Sequence, residues 1–329
     1  MYNFLEPILI FTLLGVMQVL GLYIIAMSGQ LSMATAAIAG VGAYLSAILT
    51  VKMGWWFPPA LLMAGFAGAL VGAVLALLTL RMRDFILKLT TIAFGEALSV
   101  LAFNWDYIGG ANSFTGLVAS STMTTCVVGT LVALYITWRF DGSRLGFAAR
   151  AIRDDPVAAT AVGVSLARLR CVTFALGAAV IGTAGAIQAH YVLVVSPHDL
   201  GFFVSLNFII FLLFGGMQTM WGPVLGAVLL TGLPEALRFA KEYRLIVYGL
   251  IIVIVILKRP QGLLTRTPTG IEKRLFGFLI RPARKASAPA HVRHQFSEGA
   301  SAGGPPPGRH GRPAAGAPVE ATRHGRGVD

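Results

Sequence analysis

PILIFTLLGVMQVLGLYIIAMSGQLSMATAAIAGVGAYLSAILTV, residues 7–51, runs without a single Asp, Glu, Lys or Arg. A helix needs about 20 apolar residues to cross roughly 30 Å of hydrocarbon, so the stretch is long enough for two passes. Its polar interruption, Ser28-Gly29-Gln30, divides it into helices expected over 8–27 and 31–51. The rest of the chain continues in kind. Of its 329 residues 56% are hydrophobic and only 12% charged, with a mean hydropathy of +0.75. A soluble domain carries about 25% charged residues, and charge this sparse cannot solvate a globule of this size. A β-barrel would show segments of about ten residues with alternating polarity, whereas these runs are continuous. The fold class is therefore an all-α polytopic membrane protein.

Outward from that stretch, residues 58–80 form a Gly/Ala-rich run whose small side chains let helix backbones approach in lipid. A charged turn follows with Arg81, Arg83, Asp84 and Lys88. Further spans are expected over 89–104, 122–138 and 171–189, the last again Gly/Ala-rich. Residues 202–234 carry no charge but are broken at Gly215-Gly216 and Trp221-Gly222-Pro223, which reads as two shorter helices. A last span covers 245–257. The total is about 8–9 transmembrane or re-entrant helices in a membrane domain over 1–264. The tail, 265–329, is basic and rich in Pro, Gly and Ala. It buries too little apolar area to offset its ordering entropy and is expected to be disordered. Its segment 273–285 has the basic and Phe residues to lie on anionic lipid.

Between two spans lies RFDGSRLGFAARAIRDDPVAATAVGVSLARLR, residues 139–170. It is too polar for lipid and too patterned for a linker. Asp154-Asp155-Pro156 is a helix-start signal and Gly163 a stop. Short loops rich in Lys and Arg stay in the cytoplasm. By that rule the 81–88 turn, the 139–170 loop and the tail lie inside, while 106–121 and 190–201, free of Lys and Arg, lie outside with the N-terminus. Arg238, Lys241 and Arg244 conflict with this pattern if 202–234 crosses twice.

Net charge is +12, concentrated in the tail and this loop, with no groove-reading pattern, which argues against a nucleic-acid partner. Two cysteines, Cys126 and Cys171, imply neither a disulfide framework nor a metal site. They read as packing residues. His291 and His294 in the tail are too few to hold a metal, and His190 and His198 read as surface groups of the outer loop. No HExxH, GxSxG or paired intramembrane acids are present, which argues against an enzyme within the membrane. No GxxxxGK[ST] phosphate loop is present, so ATP use would need another chain.

Four stretches, in order, resemble one family: SGQLSMATAAIAGVGAY (28–44), LGFAARAIRDDPVAATAVGV (145–164), FGGMQTMWGPVLGAVLLTGLPEALR (214–238) and YRLIVYGLIIVIVILKRPQGLL (243–264). The chain looks like the permease subunit of a bacterial ATP-binding-cassette importer, of the branched-chain amino acid type (LivM-like), over roughly 10–265. The resemblance implies a subunit of the bacterial cytoplasmic membrane that catalyses no chemistry and binds no cofactor. Its partners would be two ATPase subunits that use ATP and Mg, a second permease subunit and an extracytoplasmic solute-binding protein. The expected cargo is a branched-chain or other hydrophobic amino acid. Relatives that take up urea or short amides keep that alternative open, and an ion-coupled secondary transporter is the other.

Coupling to the ATPases is expected at Arg150, Arg153, Asp154, Asp155, Ala158, Ala159 and Gly163. The family's loop motif, Glu-Ala-Ala with Gly after three more residues, maps onto Val157-Ala158-Ala159 and Gly163. Val157 stands in place of the Glu, so its ion pair is absent, and Asp154 or Asp155 is the substitute charge. A translocation path is expected at Glu96, Asn112, Thr115, Gly116, Gly215 and Gly216. Glu96 is an acid inside a span, which normally faces a cavity or a partner; a hydrogen bond to Thr90 or Ser99 is the structural alternative. Asn112, Thr115 and Gly116 sit in a polar outer loop that reads either as an entrance or as a plain turn. Gly215 and Gly216 break a helix, which lipid tolerates only where the freed backbone is buried or lines a water-filled path; a tight cytoplasmic turn is the alternative.

Overall fold

A computed structural model describes residues 2–80, 82, 84–236, 243–259 and 262–264. The 265–329 tail, Arg81, Arg83, Arg238 and Lys241 lie outside the described residues, and with them the expectations for the tail and for the charge conflict. Eleven α-helices follow in order: α1 Tyr2–Ala26, α2 Thr35–Ala47, α3 Phe57–Thr79, α4 Asp84–Phe103, α5 Met123–Asp141, α6 Arg144–Asp154, α7 Pro156–Ala161, α8 Leu166–Val192, α9 Phe202–Gly215, α10 Trp221–Ala236 and α11 Arg244–Lys258. Among the described residues six helices are long and apolar enough to cross a membrane, and three shorter apolar ones accompany them. No strand is present among them, only one antiparallel pairing of Phe114 with Val195.

The helices alternate between two ends. At one end Arg170 Nη1 donates to the Leu80 carbonyl (3.2 Å) and Arg153 Nη1 to that of Met217 (3.2 Å). Leu263 and Leu264 donate their backbone N–H groups to Phe214 and Gly215 there. At the other end Phe114 pairs with Val195, Ser99 donates to the Pro197 carbonyl, and Lys52 lies over the Tyr107 ring. The 139–170 loop falls at the first end, called the basic end below. α1 runs towards it, its Tyr23 reaching Asp141 there.

α8 is the central helix, packed on α1, α2 and α3. Its glycines make that possible. A side chain at Gly182 would strike the Ala64 carbonyl and Gly68, and one at Gly42 would strike the Gly182 backbone. Small residues replace the missing hydrophobic drive between helices in lipid by close backbone packing.

Several expected boundaries move. α1 begins at Tyr2 rather than 8, and α4 at Asp84 rather than 89, so Asp84 and Lys88 belong to its first turns and not to a loop. The second helix begins at Thr35 rather than 31, and its last turn opens into a π-helix over Ile48–Lys52. Residues 27–34 are irregular although buried, because hydroxyls there compete for the backbone: Ser28 Oγ donates to the Ile25 carbonyl, Ser32 Oγ accepts from Ala34 N–H, and Thr91 Oγ1 accepts from Met33 N–H. α8 extends beyond 171–189 at both ends, to 166 and 192. His190 is therefore no surface group. It is fully buried in α8, beside Ser46 Oγ (3.3 Å) and Thr50 Oγ1 (3.1 Å), against the Phe57 ring. His198 is exposed, as expected. Cys126 and Cys171 are free thiols, the first buried.

Candidate functional site

Two features of this fold hold polar groups that a simple bundle does not need. The first is the cap that α6 and α7 form on the basic end. Ser143 Oγ accepts from Gly146 N–H and starts α6. Asp155 starts α7: its carboxylate accepts from the N–H groups of Val157 (2.9 Å) and Ala158 (3.0 Å), with Pro156 in the first turn. Gly163 ends the turn at φ +88°, and no atom lies within 4 Å of where its side chain would be.

The expected coupling residues divide by position. Arg150 faces inwards: its side chain is 8% exposed, and it donates to Asp141 Oδ1 at 2.6 Å and to the Asp141 carbonyl at 3.0 Å. Tyr23 of α1 donates to the same carboxylate oxygen at 3.1 Å. Arg150 is thus an internal brace and not a docking residue. Ala159 is also buried, turned into the main core. Arg153 lies against Gly29 and holds the α9–α10 turn. Asp154, its side chain 72% exposed, lies 3.4 Å from Arg153, and Asp155 is the helix cap. The apolar side chains that face solvent there are Val157 (77% exposed), Ala158 and Val162 (81% exposed), beside the exposed Asp154 and Asp155. The cap therefore presents an apolar knob on a polar rim.

The second feature is a cavity of about 100 Å3 between α1, α2, α8 and α9, reaching the end opposite the cap. Its walls are Gln18, Ala36, Ala39, Gly40, Gln188 and Asp199, with Val192, Val194, Leu200, Val204 and Phe208 supplying apolar surface. Gln18, 3% exposed, donates through Nε2 to Gln188 Oε1 at 2.8 Å. Its own Oε1 has no hydrogen-bond partner among the described residues.

None of the residues expected on the translocation path lines this cavity. Glu96 Oε1 accepts from Phe202 N–H at 2.7 Å, so its carboxylate caps the first turn of α9. Thr90 and Ser99 bond elsewhere, to the Ile86 and Pro197 carbonyls. Asn112, Thr115 and Gly116 are exposed at the end opposite the cap, in a loop that Phe114 pairs with Val195 in the segment after α8. Gly215 and Gly216 are buried in the sharp turn before α10. A side chain at Gly215 would meet Gly222 and one at Gly262 would meet Gly216, and the carbonyls of Phe214 and Gly215 are satisfied by Leu263 and Leu264. The break needs no water because the returning chain closes it.

Sequence reasoning missed Gln18, Gln188 and Asp199. The signal was present: Gln18 and Gln188 are polar groups inside otherwise apolar spans, which lipid tolerates only when they find partners. Among the described residues no group of His, Cys, Asp and Glu is arranged to hold a metal ion.

The family model described as branched-chain amino acid transport system / permease component matches residues 4–256. The chain is similar to the high-affinity branched-chain amino acid transport system permease protein LivM of Escherichia coli (strain K12), 28% identical over 292 residues, covering 78% of this chain and 69% of the relative. It is also similar to the corresponding permease protein LivH of Salmonella typhimurium, 29% identical over 168 residues, covering 50% and 54% of the two chains. The probable branched-chain amino acid transport permease protein LivM of Methanocaldococcus jannaschii is 24% identical over 242 residues, covering 64% and 68%. No solved structure matches the chain. On a match spanning nearly all of its membrane helices, this multi-pass protein belongs to the family of permease components of branched-chain amino acid transport systems.

Proposed function

We propose that this chain is one transmembrane half of an ATP-binding-cassette importer in the bacterial cytoplasmic membrane, moving branched-chain or other hydrophobic amino acids inwards by alternating access. A second permease subunit forms the other half. Two ATPase subunits bind Mg and ATP and drive the cycle; this chain catalyses no chemistry and binds no cofactor. An extracytoplasmic solute-binding protein delivers the cargo at the end opposite the cap. Membrane lipid covers the remaining apolar faces.

The observation that carries the reading is the α6–α7 cap. Its exposed Val157, Ala158 and Val162 stand on the basic end, the end that the excess of Lys and Arg in short loops favours for the cytoplasm. A small apolar knob held by a helix cap and a glycine turn suits insertion into a cleft of a soluble partner. The cavity between α1, α2, α8 and α9 supports the same reading as this chain's share of the path.

The test is gentle detergent purification of the tagged chain from its host membrane with identification of what accompanies it. The importer reading expects an ATPase carrying phosphate-loop motifs and a second permease. Recovery of this chain alone, still transporting under ATP depletion with an ion gradient maintained, would replace it with a secondary transporter.

A further inference from the structure

The chemistry of the cavity wall selects one end of the cargo. Gln18 and Gln188 are hydrogen-bonded to each other as an amide pair. Such a pair leaves one amide oxygen free whichever way the two amides are oriented. Here it is Gln18 Oε1, buried and without a partner among the described residues. A buried acceptor left unpaired is costly, so it marks a place for a donor that is absent from the apo chain.

The second acceptor on the wall is the Asp199 carboxylate. It is exposed at the rim, and among the described residues no cation lines the cavity with it. The nearest basic side chains along the chain are engaged elsewhere: His198 packs edge-on against Phe103, and His190 is held by Ser46, Thr50 and the Ala186 carbonyl. Lys52 is held over the Tyr107 ring. The wall thus offers a carboxylate and a free amide oxygen beside Leu200, Val204 and Phe208, with no side-chain positive charge of its own.

We propose that this wall is a recognition site for the primary ammonium group of the cargo, with Asp199 as its counter-charge and the free oxygen of the Gln18–Gln188 pair as its hydrogen-bond acceptor, while Leu200, Val204 and Phe208 take the hydrocarbon side chain. The inference rests on the importer reading above and narrows it. Urea and short amides carry no cation and offer Asp199 only neutral N–H donors, so the wall favours an ammonium over them. Val192, Val194 and Val204 are partly exposed at its rim, so the cavity is open on one side, and the facing permease subunit completes it.

The experiment uses the complete complex in proteoliposomes, with its binding protein and radiolabelled leucine as the probe. Uptake and ATP hydrolysis stimulated by the leucine-loaded binding protein are measured on the same samples. Losing a hydrogen bond to a charged group corresponds to a change of about tenfold or more. Asp199→Asn is therefore expected to lower leucine uptake about tenfold while stimulated ATP hydrolysis stays within about twofold of the parent. Asp199→Glu restores most of the uptake. Gln18→Met, which keeps the volume and removes the amide, is the second variant. It is expected to lower uptake about threefold or more, and decides the matter if Asp199→Asn fails to assemble. Parental uptake in both assembled variants overturns the ammonium site and leaves the importer reading intact. Absence of ATP-dependent uptake by the parent complex overturns the importer reading itself.

Discussion

α8 and the α6–α7 cap are joined by a single turn at Gly163, yet they are held in opposite ways. Along α8, glycine after glycine brings backbone against backbone with α1, α2 and α3, leaving no room for a methyl group at Gly42 or Gly182. The cap touches the body through three buried apolar side chains, Ala149, Ile152 and Ala159, and two polar ones, Arg150 on Asp141 and Arg153 on Met217. One contact is dense and intolerant of change. The other is sparse at its outer face and free to meet a second protein. The difference teaches that in this chain the small residues of the spans maintain shape, while the small residues of the cap create access.

Substitutions can break that contrast. The largest effect is expected for Gly182→Leu, which forces a branched side chain into the backbones of Ala64 and Gly68. Over-packing of this kind costs about 1–3 kcal/mol where neighbours can yield, and backbone cannot, so folded protein should nearly vanish from membranes on size-exclusion chromatography. Gly163→Trp tests the opposite claim. Nothing lies within 4 Å of that position, and the positive φ adds only about 1–2 kcal/mol of strain. The variant should reach normal membrane levels and lose transport, while Gly163→Ala, with the same strain and no bulk, keeps most of it. Normal uptake in Gly163→Trp would refute the assignment of the cap as the coupling surface.

Arg150→Ala comes next. It strips the partner from a half-buried Asp141 carboxylate, a loss of about 3–5 kcal/mol for a buried pair. The melting temperature in detergent should fall by several degrees, whereas an ordinary docking arginine would leave it unchanged. Asp155→Ala is the mildest. Removing the helix cap costs about 1 kcal/mol and should loosen α7 alone, seen as faster amide exchange over 156–162 with an unchanged body.

The long spans were legible because composition decides them: nothing but a membrane helix accommodates residues 57–79. The start of α7 at Asp155-Pro156 and its stop at Gly163 were legible from local backbone chemistry. Side-chain roles at the cap were not, because the helical face that turns inwards depends on where Asp141 and Tyr23 sit, far away in sequence. Arg150 and Ala159 were therefore grouped with residues that face solvent. Gly215 and Gly216 read as a break open to water, since the segment that closes it arrives from residues 262–264. His190 was placed in a loop because a histidine looks like the end of an apolar run, yet the hydroxyls of Ser46 and Thr50 let the helix continue past it. The cavity was hidden for a related reason. Gln18 and Gln188 gain meaning only as a pair, and 170 positions separate them.

The length of α8 has a mechanical consequence. Its 27 residues make a rod about 40 Å long, some 10 Å more than the hydrocarbon is thick. The rod starts just past Gly163 and ends where Gln188, Ala189 and Val192 form part of the cavity wall. A rotation of roughly 5° at the cap would swing the far end by about 3.5 Å, a lever arm as wide as a water molecule and its contact shell. Because α1, α2 and α3 are meshed with it, they would travel as cargo on the same lever. The gate would then open by the tilt of the whole body and not by bending of any single helix.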